Sequence, residues 1–217
     1  MAKVSKPLKV NLLFIGNSFT QRNDLPGLVA EMAEASGVKV TCELISAGGA
    51  SLRAHWNAGR AAKAIDSGRY DYVVLQEQST LPVKNAKRMA ENVRLFDTAI
   101  KKAGAKTVLY MTWARKHTPE AQQAITAAYR DIGEELGALV VPVGRVWQRF
   151  RAQYDELELY DRDESHPTVA GTYLAACVFL TGLLKEDPRG LEVGPDSITK
   201  QERSRLQSVA WKHSRRR

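Results

Sequence analysis

The sequence predicts an α/β fold: a five-stranded parallel sheet covered by helices on both faces. Two observations lead there. Five short apolar runs alternate along the chain with longer segments of helical periodicity, and such alternation belongs to parallel sheets buried on both sides. Right-handed crossovers then leave few topologies. The 217 residues are 44% hydrophobic and 26% charged, a globular composition for one domain spanning 1–217 that can bury a core without staples.

The elements follow in order. Residues 10–15 (VNLLFI) read as a buried strand, and 25–36 as a helix stopped by Gly37. Residues 39–45 form a second strand, followed by the small-residue loop SAGGAS at 46–51. A short helix is predicted at 57–67, closing at Gly68, and a third strand at 72–75. A long helix at 83–103 ends at Gly104, and a fourth strand covers 107–112. A helix at 119–136 closes at Gly137 before a fifth strand at 139–143 and a helical stretch at 146–154. The helix at 168–184 has Thr168 as N-cap. Thr199 and Glu202 have capping-box spacing and open the last helix.

Several function classes recede. Cys42 and Cys177 lie in apolar segments without metal-ligand spacing, so a disulfide framework, a structural metal and a cofactor are not expected. No leader with a separate apolar core and cleavage site precedes the first strand, and no apolar run approaches the roughly 20 residues that span a bilayer. A cytoplasmic protein is expected. Residues 198–217 carry +6 of the net charge of +8, so the body is nearly balanced. This basic C-terminal helix and tail reads as a solvated end, because no nucleic-acid motif or interleaved aromatic pattern accompanies it.

In open parallel sheets, ligands sit beyond the carboxyl ends of the strands, near the switch in strand order. Ser18, Gly48-Gly49, Gln76 to Gln78 and Trp113 all follow strand ends. Ser18, in "IGNSFT", is a candidate nucleophile on the turn after the first strand. In "DESHP", Asp163 and His166 stand three apart, and in a compact turn such a carboxylate reaches the imidazole and fixes its tautomer. An oxyanion would need N–H donors. The Ser18 backbone, a glycine N–H from Gly48-Gly49, and the side chain of Gln76 or Gln78 are available. Asn17, His55 beside Trp56, and Trp113 are further candidates for the substrate pocket; a helix-surface position is as good a reading of His55.

Together these segments resemble the SGNH (GDSL-like) hydrolases, serine esterases and lipases on a flavodoxin-like sheet. "IGNSFT" resembles the nucleophile block, with Asn-Ser-Phe where the family has Asp-Ser-Leu. "SAGGASL" resembles the glycine block, and "DESHP" the block that carries acid and base. The resemblance spans residues 15 to 167 and implies a three-layer flavodoxin-like fold. It assigns Ser18, His166 and Asp163 as the triad, and the Ser18 N–H, Gly49 and Gln78 as the oxyanion hole. "VVLQEQS" departs from the family's Gly-x-Asn-Asp: Gln78 aligns with the oxyanion asparagine and Gln76 with the glycine. A small-molecule ester is the implied substrate; some relatives act on acylated carbohydrates. The competing reading is a non-catalytic domain whose basic tail docks to a polyanion. The α/β-hydrolase elbow G-x-S-x-G and the P-loop are both absent.

Overall fold

The structure is a computed structural model that describes residues 9–214; Arg215, Arg216 and Arg217 of the basic end lie outside the described residues. Strands β1 (Val10–Gly16), β2 (Val40–Ser46), β3 (Tyr72–Leu75), β4 (Lys106–Tyr110) and β5 (Leu139–Val141) form one sheet in the order β2-β1-β3-β4-β5, with every pair parallel. This is the flavodoxin-like order, in which the sequence of strands reverses between β1 and β3.

Side chains alternate across each strand, and the two faces bury separate cores. Leu12 and Phe14 of β1, with Val74, Val108 and Tyr110, face one layer. Leu13 and Ile15, with Val73, Leu75 and Leu109, face the other. Helices α1 (Ser18–Gln21), α2 (Leu25–Ala35), α3 (Leu52–Ala58), α4 (Arg60–Asp66), α5 (Leu81–Lys84), α6 (Ala86–Lys102), α7 (Ala121–Leu136), α8 (Val143–Arg151), α9 (Val169–Phe179) and α10 (Lys200–Ser214) supply the layers. The first core contains residues of α2, α8, α9 and α10; the second, residues of α3, α4, α6 and α7.

Helix boundaries differ from expectation where capping chemistry divides a segment. The helix expected at 57–67 is two helices. Ser51 caps α3 by accepting from the Ala54 N–H, so that helix starts at the end of the glycine loop. Gly59, at φ +75°, ends it, a left-handed cap that glycine adopts without a Cβ penalty. Asn85 likewise splits the long helix: it is extended (φ −159°), and its side chain accepts from the Arg88 N–H to cap α6. The fifth strand ends at Val141, because Pro142 has no N–H for a ladder and α8 begins at Val143. Beyond α9 the chain continues into a π-helical turn, Leu180–Leu184.

The C-terminal helix belongs to the core. Leu206, Val209 and Ala210 are buried. Arg203 donates to the Glu192 and Pro195 carbonyls, and Arg205 pairs with Glu156 and lies over the Tyr154 ring. These two arginines are engaged by other groups of the chain, while Lys200 and Lys212 of the same helix are exposed. Both cysteines are free. No helix among the described residues is long and apolar enough to cross a membrane.

Candidate active site

The turn after β1 is built so that one backbone donor is left over. The Asn17 side chain accepts from the Phe19 N–H at 3.1 Å, and the Asn17 carbonyl accepts from the Thr20 and Gln21 N–H groups at 3.0 Å each. The Ser18 N–H alone in this turn has no acceptor among the described residues. Gly16 is required by close approach: a Cβ there would stand 2.6 Å from both Gln76 Oε1 and Thr20 Oγ1. The half-buried Ser18 hydroxyl meets the imidazole of His166, Oγ to Nε2 at 2.7 Å.

His166 is aimed from its own loop. Asp163 Oδ1 accepts from the Ser165 and His166 backbone N–H groups at 3.1 and 2.9 Å, while Oδ2 accepts from the His166 Nδ1–H. A carboxylate on Nδ1 fixes the tautomer that leaves Nε2 as acceptor for the serine proton. Glu164 turns the loop with a φ of +58°. Burial opposes ionisation of Asp163, but the hydrogen bonds from the His166 ring and from the His166 and Ser165 N–H groups outweigh it and hold the carboxyl down to about 2.

Two sets of contacts join this loop to the Ser18 turn. One is an aromatic column: Trp147 stacks on Trp113 at 3.8 Å, Trp113 on Phe19 at 5.0 Å, and the Phe19 ring lies 5.2 Å from that of His166. Trp113 Nε1 also donates to the Ser165 carbonyl at 3.0 Å. The other is a polar clasp: Arg22 pairs with Asp161 at 2.5 Å, and Asn23 Nδ2 donates to the Pro167 carbonyl and to Thr172 Oγ1. Asn23 and Asp24 stand at φ +54° and +51°, left-handed values that asparagine and aspartate tolerate better than other side chains.

No protein-family profile and no curated protein matches the chain. Solved structures do. A DUF4886 family protein from Bacteroides uniformis superposes with a TM-score of 0.80 at 20% identity, covering 94% of each chain. A protein from Slackia heliotrinireducens described as an SGNH hydrolase gives 0.67 at 29% identity, over 80% of this chain and 98% of the other. A variant of an acetyl-xylooligosaccharide esterase from Geobacillus Stearmophilus gives 0.63 at 16%, over 86% and 97%. The chain has the SGNH (GDSL-like) hydrolase fold.

Within this SGNH fold the remaining candidates separate by exposure and bonding. Gly48 and Gly49 are exposed in a turn closed by Ala50 N–H to the Ala47 carbonyl, with Gly49 at φ +66°. Neither glycine N–H has an acceptor among the described residues. Gln78 Oε1 accepts three donors, Thr80 N, Thr80 Oγ1 and Leu81 N. Its carbonyl is thus tied to the start of α5, and its amide hydrogens have no acceptor among the described residues.

The other expected pocket residues are braces. Gln76 is 1% exposed. Its oxygen accepts from the Asn17 N–H and Thr20 Oγ1, and its nitrogen donates to the Glu77 carbonyl. It is therefore no rival to Gln78 as a free donor. Asn17 is buried and donates to the Ala50 carbonyl at 3.0 Å, joining the Ser18 turn to the glycine loop. His55 is neither pocket lining nor helix surface: it is buried, with Nε2 donating to the Gly16 carbonyl at 2.7 Å. Trp113 is buried beneath Phe19 and supports the site from below.

Sequence reasoning passed over the clasp at Arg22 and Asn23 and the buried pair Glu77 and Asn92. A signal existed for Asn92, which occupies a core-facing position of α6 between Met89 and Phe96. Among the described residues no group of three or more His, Cys, Asp and Glu side chains gathers as a metal-ligand set.

The Asp163 arrangement has a measurable consequence. The bonds it accepts favour the ionised form, so its carboxyl carbon should titrate near pH 2 by NMR, and in His166→Ala the midpoint should rise. A folded-state value below the unfolded one means that this group adds stability above the unfolded carboxylate range, near pH 3.9. That contribution is lost as the pH falls towards 2. An unchanged midpoint in the variant would show that His166 does not hold the carboxylate.

Proposed function

We propose that the protein is a serine esterase that hydrolyses a small acyl ester through Ser18, His166 and Asp163. The observation that carries this is the 2.7 Å contact from Ser18 Oγ to a His166 whose other nitrogen is bonded to Asp163. His166 Nε2 takes the Ser18 proton as Oγ attacks the ester carbonyl. The negative charge that develops on the carbonyl oxygen is received by the Ser18 N–H, the Gly49 N–H and the Gln78 amide. His166 then gives its proton to the departing alcohol, leaving an acyl-serine. Water, deprotonated by the same imidazole, attacks the acyl group, and the imidazolium returns that proton to Ser18 Oγ as its bond to the acyl carbon breaks and the acid leaves. Asp163 holds the tautomer and stabilises the imidazolium in each half.

Gln78 suits the donor role because its carbonyl is already committed to three bonds. A donor held in place before reaction needs no reorganisation as charge appears. The longer side chain thus replaces the shorter amide of related enzymes by borrowing rigidity from α5. An acetylated carbohydrate is the substrate class favoured by the fold's likeness to an acetyl-xylooligosaccharide esterase and an acetyl xylan esterase.

Ser18→Ala should fold as the wild type does and lose hydrolysis of a short-chain aryl acetate. A fluorophosphonate probe should label the wild type at Ser18 and leave the variant unlabelled; labelling at another serine in both proteins would refute the nucleophile. The two glutamines should separate by kind of loss. Gln78→Ala should lower kcat by about 10²- to 10³-fold, the scale for one oxyanion donor; the three donors it frees, the Thr80 N–H and Oγ1 and the Leu81 N–H, are only partly buried and can turn to water, so its cost in stability should be smaller than that of Gln76→Ala. Gln76→Ala strands the Asn17 N–H and the Thr20 hydroxyl, so it should cost about 1–3 kcal/mol of stability in denaturant titrations. A silent Gln78→Ala would leave the oxyanion to backbone donors alone.

A further inference from the structure

Glu77 is a carboxylate with 1% of its surface exposed, inside the layer that contains Leu52, Met89 and Val93. Burial pushes its pKa up, and the hydrogen bonds it accepts pull the other way. A buried carboxylate persists only where its oxygens are well bonded, and here two of the three bonds come from backbone at the catalytic edge. Oε1 accepts two backbone donors: the Leu52 N–H at 2.9 Å and the Gln78 N–H at 2.7 Å. Oε2 accepts from Asn92 Nδ2 at 2.8 Å, and Asn92 Oδ1 accepts from Arg53 Nε at 3.0 Å.

The two backbone donors come from separate strand connections. Leu52 opens α3, three residues after Gly49. Gln78 follows β3. A single carboxylate oxygen therefore fixes the exit of the glycine loop and the backbone of Gln78 to one point. The tip of the glycine loop packs on little, since Gly48 and Gly49 are exposed and a Cβ on either would meet nothing within 4 Å. Its other ties are Asn17 Nδ2 to the Ala50 carbonyl, on the same side as Leu52, and the Ala47 N–H to the Gly16 carbonyl at 3.3 Å, on the side before the glycines.

We propose that Glu77 is a positioning residue for the oxyanion hole: it sets the spacing between the Gly49 N–H and the Gln78 amide, with Asn92 and Arg53 holding its second oxygen. The inference rests on the esterase reading above. Misplacing a catalytic donor by about 1 Å is enough to cost on the order of 10²-fold in rate, so a tie of this kind acts on kcat without touching substrate.

The donor and acceptor pattern supplies the test. In Glu77→Gln one oxygen still serves Leu52 and Gln78, but the new NH2 faces the Asn92 NH2. Turning Asn92 over to relieve this takes its oxygen from Arg53. In Asn92→Asp two carboxylates face each other. In the double variant, E77Q with N92D, the glutamine NH2 donates to the aspartate, whose other oxygen accepts from Arg53, and the net charge equals that of the wild type. With an aryl acetate, each single variant should lose at least about tenfold in kcat, within the range that misplacement costs, with KM unchanged. The double variant should recover most of the loss. Hydrogen exchange across residues 47–52 and 77–81 should quicken in the single variants and return to the wild-type rate in the double.

A purely structural Glu77 would instead lower the melting temperature of the single variants and leave kcat intact well below it, which overturns the inference. So would a double variant no more active than its parents. If the wild type hydrolyses no ester, the esterase reading falls and this inference with it. If Ser18→Ala is inactive while Glu77→Gln turns over normally, the inference fails alone.

Discussion

The 2.7 Å contact between Ser18 Oγ and His166 Nε2 joins positions 148 residues apart, and it is too weak to bring them together. A hydrogen bond of this kind contributes a net of about 0.5–1.5 kcal/mol, less than the entropy of ordering two loops. The loops must be held by something else, and the surrounding structure divides into the devices that do so. The aromatic column from Trp147 through Trp113 and Phe19 gives His166 a fixed surface to lie against. The Arg22 and Asn23 clasp joins the segment after Ser18 to both ends of the histidine loop. The Ser18 and His166 side chains need only to be compatible with a geometry that these contacts impose.

The seam between β1 and β3 works by the same logic with polar groups. Sheets of this order open a crevice where the direction of strand addition reverses, and the two strands that flank it must end in register. Asn17, His55, Gln76, Glu77 and Asn92 are each at most 5% exposed, and each is hydrogen-bonded. Such groups are costly when unpaired and rigid when fully paired. They carry the position of β1's end, the glycine loop and β3's end into one network, while the groups that would meet substrate remain outside it: the Ser18 N–H, the exposed glycines and the Gln78 amide.

The strand pattern and the Ser18, Asp163 and His166 positions were legible because each is local. Apolar runs mark the strands, and D-x-x-H lies within one turn. Gly16-Asn17-Ser18 also shows itself as a strand end. What stayed hidden depends on partners distant in sequence. Nothing near His55 says that it reaches the Gly16 carbonyl, 39 residues away. Gln76 and Gln78 look equivalent in an extended segment, since both fall on the same side. They part only because Gln76 meets Asn17 and Thr20 in the β1 turn while Gln78 meets the first turn of α5. The helix breaks at Gly59 and Asn85 are hidden for a different, local reason: apolar periodicity continues across them, and caps three residues away decide.

In the proposed hydrolysis a neutral His166 draws a proton from Ser18 under the control of Asp163. The most direct measurement is kcat/KM for an aryl acetate across the range in which histidines titrate, about pH 5 to 8, in the wild type and in Asp163→Asn. Asp163 stays ionised down to about 2, so it adds no limb of its own there. Because only a neutral imidazole can take the Ser18 proton, the wild-type rate should rise with pH. The variant should fold and be slowed at every pH, by as much as about 10⁴-fold where the tautomer is lost. A wild-type rate that is flat across that range, or a variant as fast as the wild type, would contradict this role of His166.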